Sequence, residues 1–313
     1  MTMSQTMPVI VIDNRHVLNV PDPETIAWQC HAARQSQSRS AKEISGVALV
    51  GDNGAAYCWV KYGRSITMAE ARTQDFVWQV LSSSNHSGDS DSDASVRVPC
   101  VYLAFTWGIC GYIVMEHIDG ETCENSDAER VATAVETLIA IQNPTLAPGP
   151  IGGGPIGHRF YIDWESCPVT YGSVSELQNH INEILVYMES KLRVDFTPEV
   201  EAYGLPLCPC DLNRNDFIKD SRGGIVAIDF GFTCFLPISF FAFALREGDY
   251  FTRLVAQHVK HPASTQLNAM LTASYSLVSF NRNDIGITVK VRNGKRIKVK
   301  DSKKKLNDMP NCV

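Results

Sequence analysis

The sequence predicts an α+β fold, in which a β-rich N-terminal part carrying one helix is followed by a larger, mostly helical part. Two changes of pattern predict it. Across residues 44–115, short apolar runs alternate with turn signals at strand spacing, interrupted by a single helical stretch. Across 126–280 the apolar residues recur at helical spacing instead. The 313 residues, 44% hydrophobic and 20% charged, suffice for one bilobal domain with a real core or for two small domains.

Taken in order, residues 9–20 form an apolar lead closed by Pro21 and Pro23, and 24–34 read as a short helix. Residues 44–50 and 55–62 read as strands joined through the turn Gly51-Asp52-Asn53-Gly54. Thr67-Met68-Ala69-Glu70 opens a helix reaching about Leu81, with Phe76, Val77, Val80 and Leu81 on its apolar face. The Ser-, Asp- and Gly-rich stretch 82–95 reads as a loop. Residues 96–103 and 111–115 read as two further strands in a hairpin around Trp107-Gly108.

Ser126-Asp127-Ala128-Glu129 has the form of a capping box before a helix carrying Val131, Val135, Leu138, Ile139 and Gln142. The Pro/Gly-rich stretch 144–157 is a loop, and 173–192 an amphipathic helix with Leu177, Ile181, Ile184, Leu185 and Met188 on one stripe. A strand at 224–228, an apolar helix ending near Leu245 and a helical region at 266–280 follow. From Ile287 the chain alternates basic and apolar residues on both sides of Asn293-Gly294, a hairpin pattern.

Residues 1–20 hold no charged segment followed by an apolar one, so no signal peptide is expected and the ten cysteines read as reduced thiols of a cytoplasmic protein. The longest apolar run, 230–245, is too short for a membrane span and contains Pro237. The formal charge of −6 is uneven: residues 290–305 carry +8, leaving −14 on the rest. An acidic body suits a cationic or neutral small-molecule substrate better than nucleic acid. The basic tail is either a site for an anionic partner or solvated charge, and no aromatic residue interleaves its Lys and Arg.

The chemistry-bearing residues lie in Asp211-Leu212-Asn213-Arg214-Asn215-Asp216 and Ile228-Asp229-Phe230-Gly231. A loop acid, an oxygen ligand type five positions later and a second acid after a short strand are what phosphoryl transfer needs. One group orients the attacking hydroxyl, and two hard ligands hold the magnesium that bridges nucleotide phosphates. Asp211 also reads as a loop aspartate bonding to its own backbone, and Asp229 as a turn cap. Lys61 ends a strand nine residues before Glu70. It is either an edge lysine reaching for water or the partner of Glu70, which closes a capping box with Thr67 yet is in helical phase with Val77 and Leu81. Met115-Glu116-His117-Ile118 fits a strand end before a turn.

On these residues the chain resembles the aminoglycoside phosphotransferase-like family of the protein-kinase-like superfamily, and within it the fungal branch. The resemblance covers about residues 61–280. It implies a bilobal protein-kinase-like fold: a nucleotide-binding N-terminal lobe (1–118), a catalytic and substrate lobe (119–285) and the basic tail (286–313). It implies ATP and Mg2+ as cofactors, with a hydroxyl of a small metabolite as acceptor. Asp211 would be catalytic, Asp216 and Asp229 would bind the metal, and Lys61, braced by Glu70, would meet the phosphates. Residues Glu116 and His117 would form a hinge whose backbone meets the adenine. The next helix opens at Leu236-Pro237-Ile238-Ser239, leaving no room for the peptide-docking loop of a protein kinase.

Two positions depart from the family pattern. Asp216 stands where asparagine is usual, adding a negative charge beside the phosphates. Pro209 stands where a loop-bracing histidine is usual and offers no donor. These departures keep two alternatives open: a non-catalytic, pseudokinase-like binding or scaffold protein, or a kinase-fold pocket turned to other small-molecule chemistry.

Overall fold

The computed structural model describes residues 7–36, 46–85, 96–162, 167–287, 289–292 and 295–298. The N-terminal part is a five-stranded sheet of β1 (Val9–Asp13), β2 (Gly46–Val50), β3 (Ala56–Gly63), β4 (Val101–Trp107) and β5 (Cys110–Glu116), in the order β1-β4-β5-β3-β2 with every pair antiparallel. Each face carries one helix. Cys58 and Val60 of β3 point to the face covered by α1 (Pro23–Ser36), where they join Ile26, Cys30, Leu103, Phe105 and Val114. The alternate residues of β3 point the other way. There Trp59 packs with Ile66, Ala71, Val101, Ala104, Ile113 and Met115 beneath α2 (Met68–Asn85). Lys61 therefore lies on the α2 side of the sheet, which decides its partner.

Local chemistry explains the helix starts. The Asp22 carboxylate accepts from the N–H groups of Glu24 and Thr25, and Pro23 opens α1 where its missing N–H costs nothing. Later, Ser173 caps α4 (Val174–Tyr187) by accepting from Glu176 N–H, a contact worth about 1 kcal/mol.

The second part is built around a large core in which Phe160, Phe196, Phe235, Phe240, Phe241 and Phe243 are all buried. Its helices are α3 (Ala128–Ile139), α4, α5 (Thr197–Tyr203), α6 (Ile238–Arg246), α7 (Tyr250–Val255) and α8 (Leu267–Phe280). Short strands lie among them: β6 (Gly120–Thr122), β8 (Phe217–Asp220) and β9 (Ile225–Ala227) form one small antiparallel sheet, and β7 (Leu207–Pro209) pairs with β10 (Thr233–Phe235). These two sheets hold the ends of the acidic loop. Residues Arg97 and Val226 form a parallel bridge, so the segment before β4 is stitched onto β9.

Several expectations are corrected. The apolar lead contains a strand, β1. Residues 96–100 are not a strand of the five-stranded sheet: Arg97 makes only an isolated bridge, and pairing with β5 begins at Val101. Helix α2 continues through Asn85, so residues 82–85 are helical, and 86–95 lie outside the described residues. The capping box before α3 is Glu124 with Asp127 rather than Ser126 with Glu129, and α3 ends at Ile139, short of Gln142. Helix α4 stops at Tyr187, where Ser190 N–H closes onto the Leu185 carbonyl and Glu189 turns left-handed at φ 55°. The C-terminal hairpin is present as β11 (Val289–Arg292) paired with β12 (Lys295–Lys298). Asn293-Gly294, residues 44–45 and the rest of the basic tail lie outside the described residues.

Candidate functional site

Lys61 leaves β3 on the face covered by α2, and Glu70 sits in the first turn of that helix. The Lys61 Nζ donates to Glu70 Oε1 at 2.5 Å and to Asp229 Oδ1 at 2.7 Å. Glu70 keeps its capping bond as well, its N–H donating to Thr67 Oγ1 at 3.1 Å. Thr67 therefore caps the helix through the Glu70 backbone, but the Glu70 side chain turns to Lys61 instead of closing the expected capping box. Burial alone would push the Lys61 ammonium pKa down, but the two carboxylates outweigh it and the pKa is raised. Burial pushes the Glu70 carboxyl up, and Lys61 only partly offsets it. The shifts do not mirror each other because Glu70 is the deeper partner, its side chain 2% exposed against 13% for Lys61.

Asp229 follows β9 in a left-handed conformation, φ 61°, which aspartate tolerates better than most residues. Its Oδ1 also accepts from Gly231 N–H at 3.1 Å. A Cβ on Gly231 would stand 3.2 Å from that oxygen and 3.5 Å from Glu70 Oε2, so the absence of a side chain there lets the chain pass between the two acids.

Asp211 follows β7, whose Pro209 sits opposite Thr233 of β10. The loop is pinned by its backbone: Cys210 N–H donates to the Phe232 carbonyl, and Thr252 Oγ1 donates to the Leu212 carbonyl. The Asp211 carboxylate accepts from Arg159 Nη2 at 2.7 Å. Nothing in the sequence pattern points to Arg159, which lies 52 residues away at the end of a Pro/Gly-rich loop.

Asp216 closes a single 3-10 turn, Arg214–Asp216, and its Oδ2 accepts from the Asn213 side-chain amide at 2.7 Å and from Asn213 N–H at 3.3 Å. Burial pushes its pKa up to about 9, and the charges of Asp229 and Asp211 add to the effect. Asn215 is exposed on the same turn.

A cavity of about 740 Å³ is lined by Lys61, Glu70, Asp211, Asn213, Asp216 and Asp229 among others. A second pocket of about 380 Å³ shares Lys61, Asp216 and Asp229 with it and extends along Trp59, Met115, Glu116, His117 and Ile118. The structure thus brings all seven sequence-predicted site residues to two adjoining pockets. The Glu116 carboxylate is turned to Arg97, accepting from Nη2 at 2.7 Å, while the same guanidinium reaches Asp220 at 3.3 Å.

Among the described residues, no group of three or more His, Cys, Asp or Glu side chains is arranged to hold a metal ion. Asp216 and Asp229, two carboxyl groups on a wide cavity, are hard oxygen ligands that could hold a hard cation only with its other positions filled from outside the protein, not in an all-protein cage. No helix among the described residues is long and apolar enough to cross a membrane. All nine described cysteines are free, and eight are buried, as core-filling thiols would be.

No family model matches the chain, and no curated protein matches it. Several solved structures are similar to it. One is a Haemophilus somnus 129PT protein assigned as a fructosamine-3-kinase, 14% identical over 83% of this chain and 90% of that one, with a TM-score of 0.46. Another is the streptomycin–ATP ternary complex of APH(2")-IIa, 14% identical over 86% and 99%, with a TM-score of 0.39. A third is a macrolide 2'-phosphotransferase from Brachybacterium faecium, 10% identical over 82% and 90%, with a TM-score of 0.41. At these identities the function has to be read from the site's own residues.

Proposed function

We propose that this chain is an ATP- and magnesium-dependent phosphotransferase of bilobal, protein-kinase-like fold that acts on a hydroxyl of a small molecule. The observation that carries the reading is the convergence of Lys61, Glu70, Asp211, Asp216 and Asp229, from four separate segments of the chain, on one cavity of about 740 Å³. In this reading residues 1–118 hold the nucleotide and 119–285 supply catalysis and the acceptor site.

Each residue has a physical task. The pocket along Trp59, Met115 and Ile118 offers an apolar slot for a base beside the 116–118 backbone. Lys61, held by Glu70, presents a cation to the phosphates. Asp216 and Asp229 would hold magnesium, which when bound neutralises charge on the β- and γ-phosphates. Asp211 accepts a hydrogen bond from the acceptor hydroxyl and aims its oxygen at the γ-phosphorus. A bond forms from that oxygen to phosphorus as the bond to the ADP oxygen breaks, and the hydroxyl proton passes to Asp211. Catalysis on this account is positioning and charge neutralisation. The short connection from Gly231 to α6, which begins at Ile238, leaves the cavity without a peptide-docking loop and favours a small acceptor.

One observation favours a second reading, a non-catalytic binding protein: the Asp216 carboxylate is already engaged in a local capping box with Asn213. Measuring ADP formation from ATP with and without magnesium separates the two. Magnesium-dependent ADP release lost in Asp211→Asn supports the enzyme; nucleotide binding with no ADP release supports the binding protein.

A further inference from the structure

We propose that Arg159 is the residue that positions Asp211 for phosphoryl transfer. The inference rests on the phosphotransferase reading and names a part of the site that no sequence pattern identified.

Within the 207–212 segment itself, nothing orients the Asp211 side chain. Pro209 has neither an N–H nor a side-chain donor, and the backbone bonds of Cys210 and Leu212 fix the main chain only. The carboxylate's one hydrogen-bond and ion-pair partner among the described residues is Arg159, at 2.7 Å. Arg159 is itself placed for this. Its side chain is 9% exposed, and its second terminal nitrogen donates to the Glu247 carbonyl at 2.9 Å, beyond the end of α6. A guanidinium tied at one nitrogen has little freedom at the other, because the fork is planar and rigid.

The residue before it is fixed too. His158 is fully buried, with Nε2 at 3.0 Å from the Phe240 carbonyl and Nδ1 accepting from Phe160 N–H at 2.8 Å. Arg159 therefore reaches Asp211 from an anchored backbone. It also places a positive charge beside Asp211, one of four acids that line the same cavity with Glu70, Asp216 and Asp229, where the lining cations are Lys61 and Arg64. An arginine fixed in this way holds one carboxylate oxygen and leaves the other for an acceptor hydroxyl.

The test measures ADP release from magnesium-ATP, with water as acceptor, in the wild type, Arg159→Gln, Arg159→Lys, Asp211→Asn and the double variant Arg159→Gln/Asp211→Asn. The melting temperature of each is read with and without magnesium-ATP. Arg159→Gln is expected to lower kcat roughly 100-fold, with KM for ATP changed less than about 2-fold and the magnesium-ATP melting shift retained. Arg159→Lys should recover part of the loss. In the Asp211→Asn background, Arg159→Gln should cost nothing further, because the two act as one unit.

An Arg159→Gln variant with wild-type kcat, or losses that multiply in the double variant, overturns the inference while leaving the phosphotransferase reading intact. Loss of the melting shift together with kcat assigns Arg159 a structural role and also overturns it. A wild type that neither binds nor turns over magnesium-ATP overturns both, and is told apart by the silence of the unmutated chain.

Discussion

Lys61 and Glu70 stand nine residues apart, on a strand and on the helix that packs over it, whereas Asp211 meets its partner Arg159 across 52 residues of chain. The first corner follows from adjacency: β3 places Lys61 beneath α2, and the first turn of α2 brings Glu70 down to it. The second is assembled only once α6 and the 144–157 loop have packed. The two regions also differ in charge. Lys61 satisfies two carboxylates at once, while the Asp216 carboxyl, near Asp211 and Asp229, has its pKa pushed up to about 9 chiefly by burial. The Lys61 corner has its counter-charge in place, while Asp216 has, among the described residues, no cationic partner and only the Asn213 amide and N–H on its carboxyl.

The widest gap between the two regions is expected in catalysis. On the proposed mechanism, Asp211→Asn should reduce ADP release by roughly three orders of magnitude with nucleotide binding nearly unchanged, since it removes the group assigned to orient the acceptor. Equal turnover in the variant would remove Asp211 from the reaction. Lys61→Met should do the reverse and strike stability and nucleotide binding together. It leaves Glu70 buried without its cation, a loss of about 3 kcal/mol that equilibrium urea unfolding can read. An unchanged unfolding midpoint would mean that the pair is not what holds this corner.

Asp216→Asn sharpens the electrostatic half of the contrast. Asparagine can still accept from Asn213, but it removes an acid that interacts electrostatically with Asp229 and Asp211. The magnesium-free protein should gain roughly 1 kcal/mol, while the extra stabilisation that magnesium adds to ATP shrinks. A destabilised variant would show that capping, not charge, dominates at this position.

A further contrast concerns pH. His158 is buried with both ring nitrogens engaged, and burial pushes its pKa from 6.5 down to about 3. Between those values the unfolded chain binds the proton and the folded chain does not. The stability His158 contributes is therefore complete above pH 6.5 and is lost as pH falls toward 3. Unfolding free energies measured from about pH 7 down to about pH 4 should fall more steeply in the wild type than in His158→Gln. Parallel curves would contradict the assignment.

What was legible in the sequence divides along the same line. The β3–α2 corner could be read because alternation along a strand and helical phase are local patterns, and Lys61, Glu70 and Asp229 each fall on one. Helix α8 was readable to within a residue for the same reason. Strand β1 was not, because Val-Ile-Val-Ile-Asp at a sheet edge, mostly exposed, carries no alternation. Helices α5 and α7, seven and six residues long, owe their form to packing, α5 against α6 and α7 chiefly against α3, rather than to their own periodicity. The end of α4 was missed because Glu189, not glycine, takes the left-handed position. Arg159 was invisible because an ion pair between two loops leaves no spacing rule behind.

The most direct test of the central claim is the melting temperature of the purified chain with ATP alone, magnesium alone, and both together. Two carboxylates without a complete cage, beside a preformed Lys61–Glu70 pair, predict little change with magnesium alone, a modest rise with ATP, and the largest rise with both. An equal rise with and without magnesium, or none with any ligand at millimolar ATP, would contradict the claim that these acids and this lysine form a magnesium-nucleotide site.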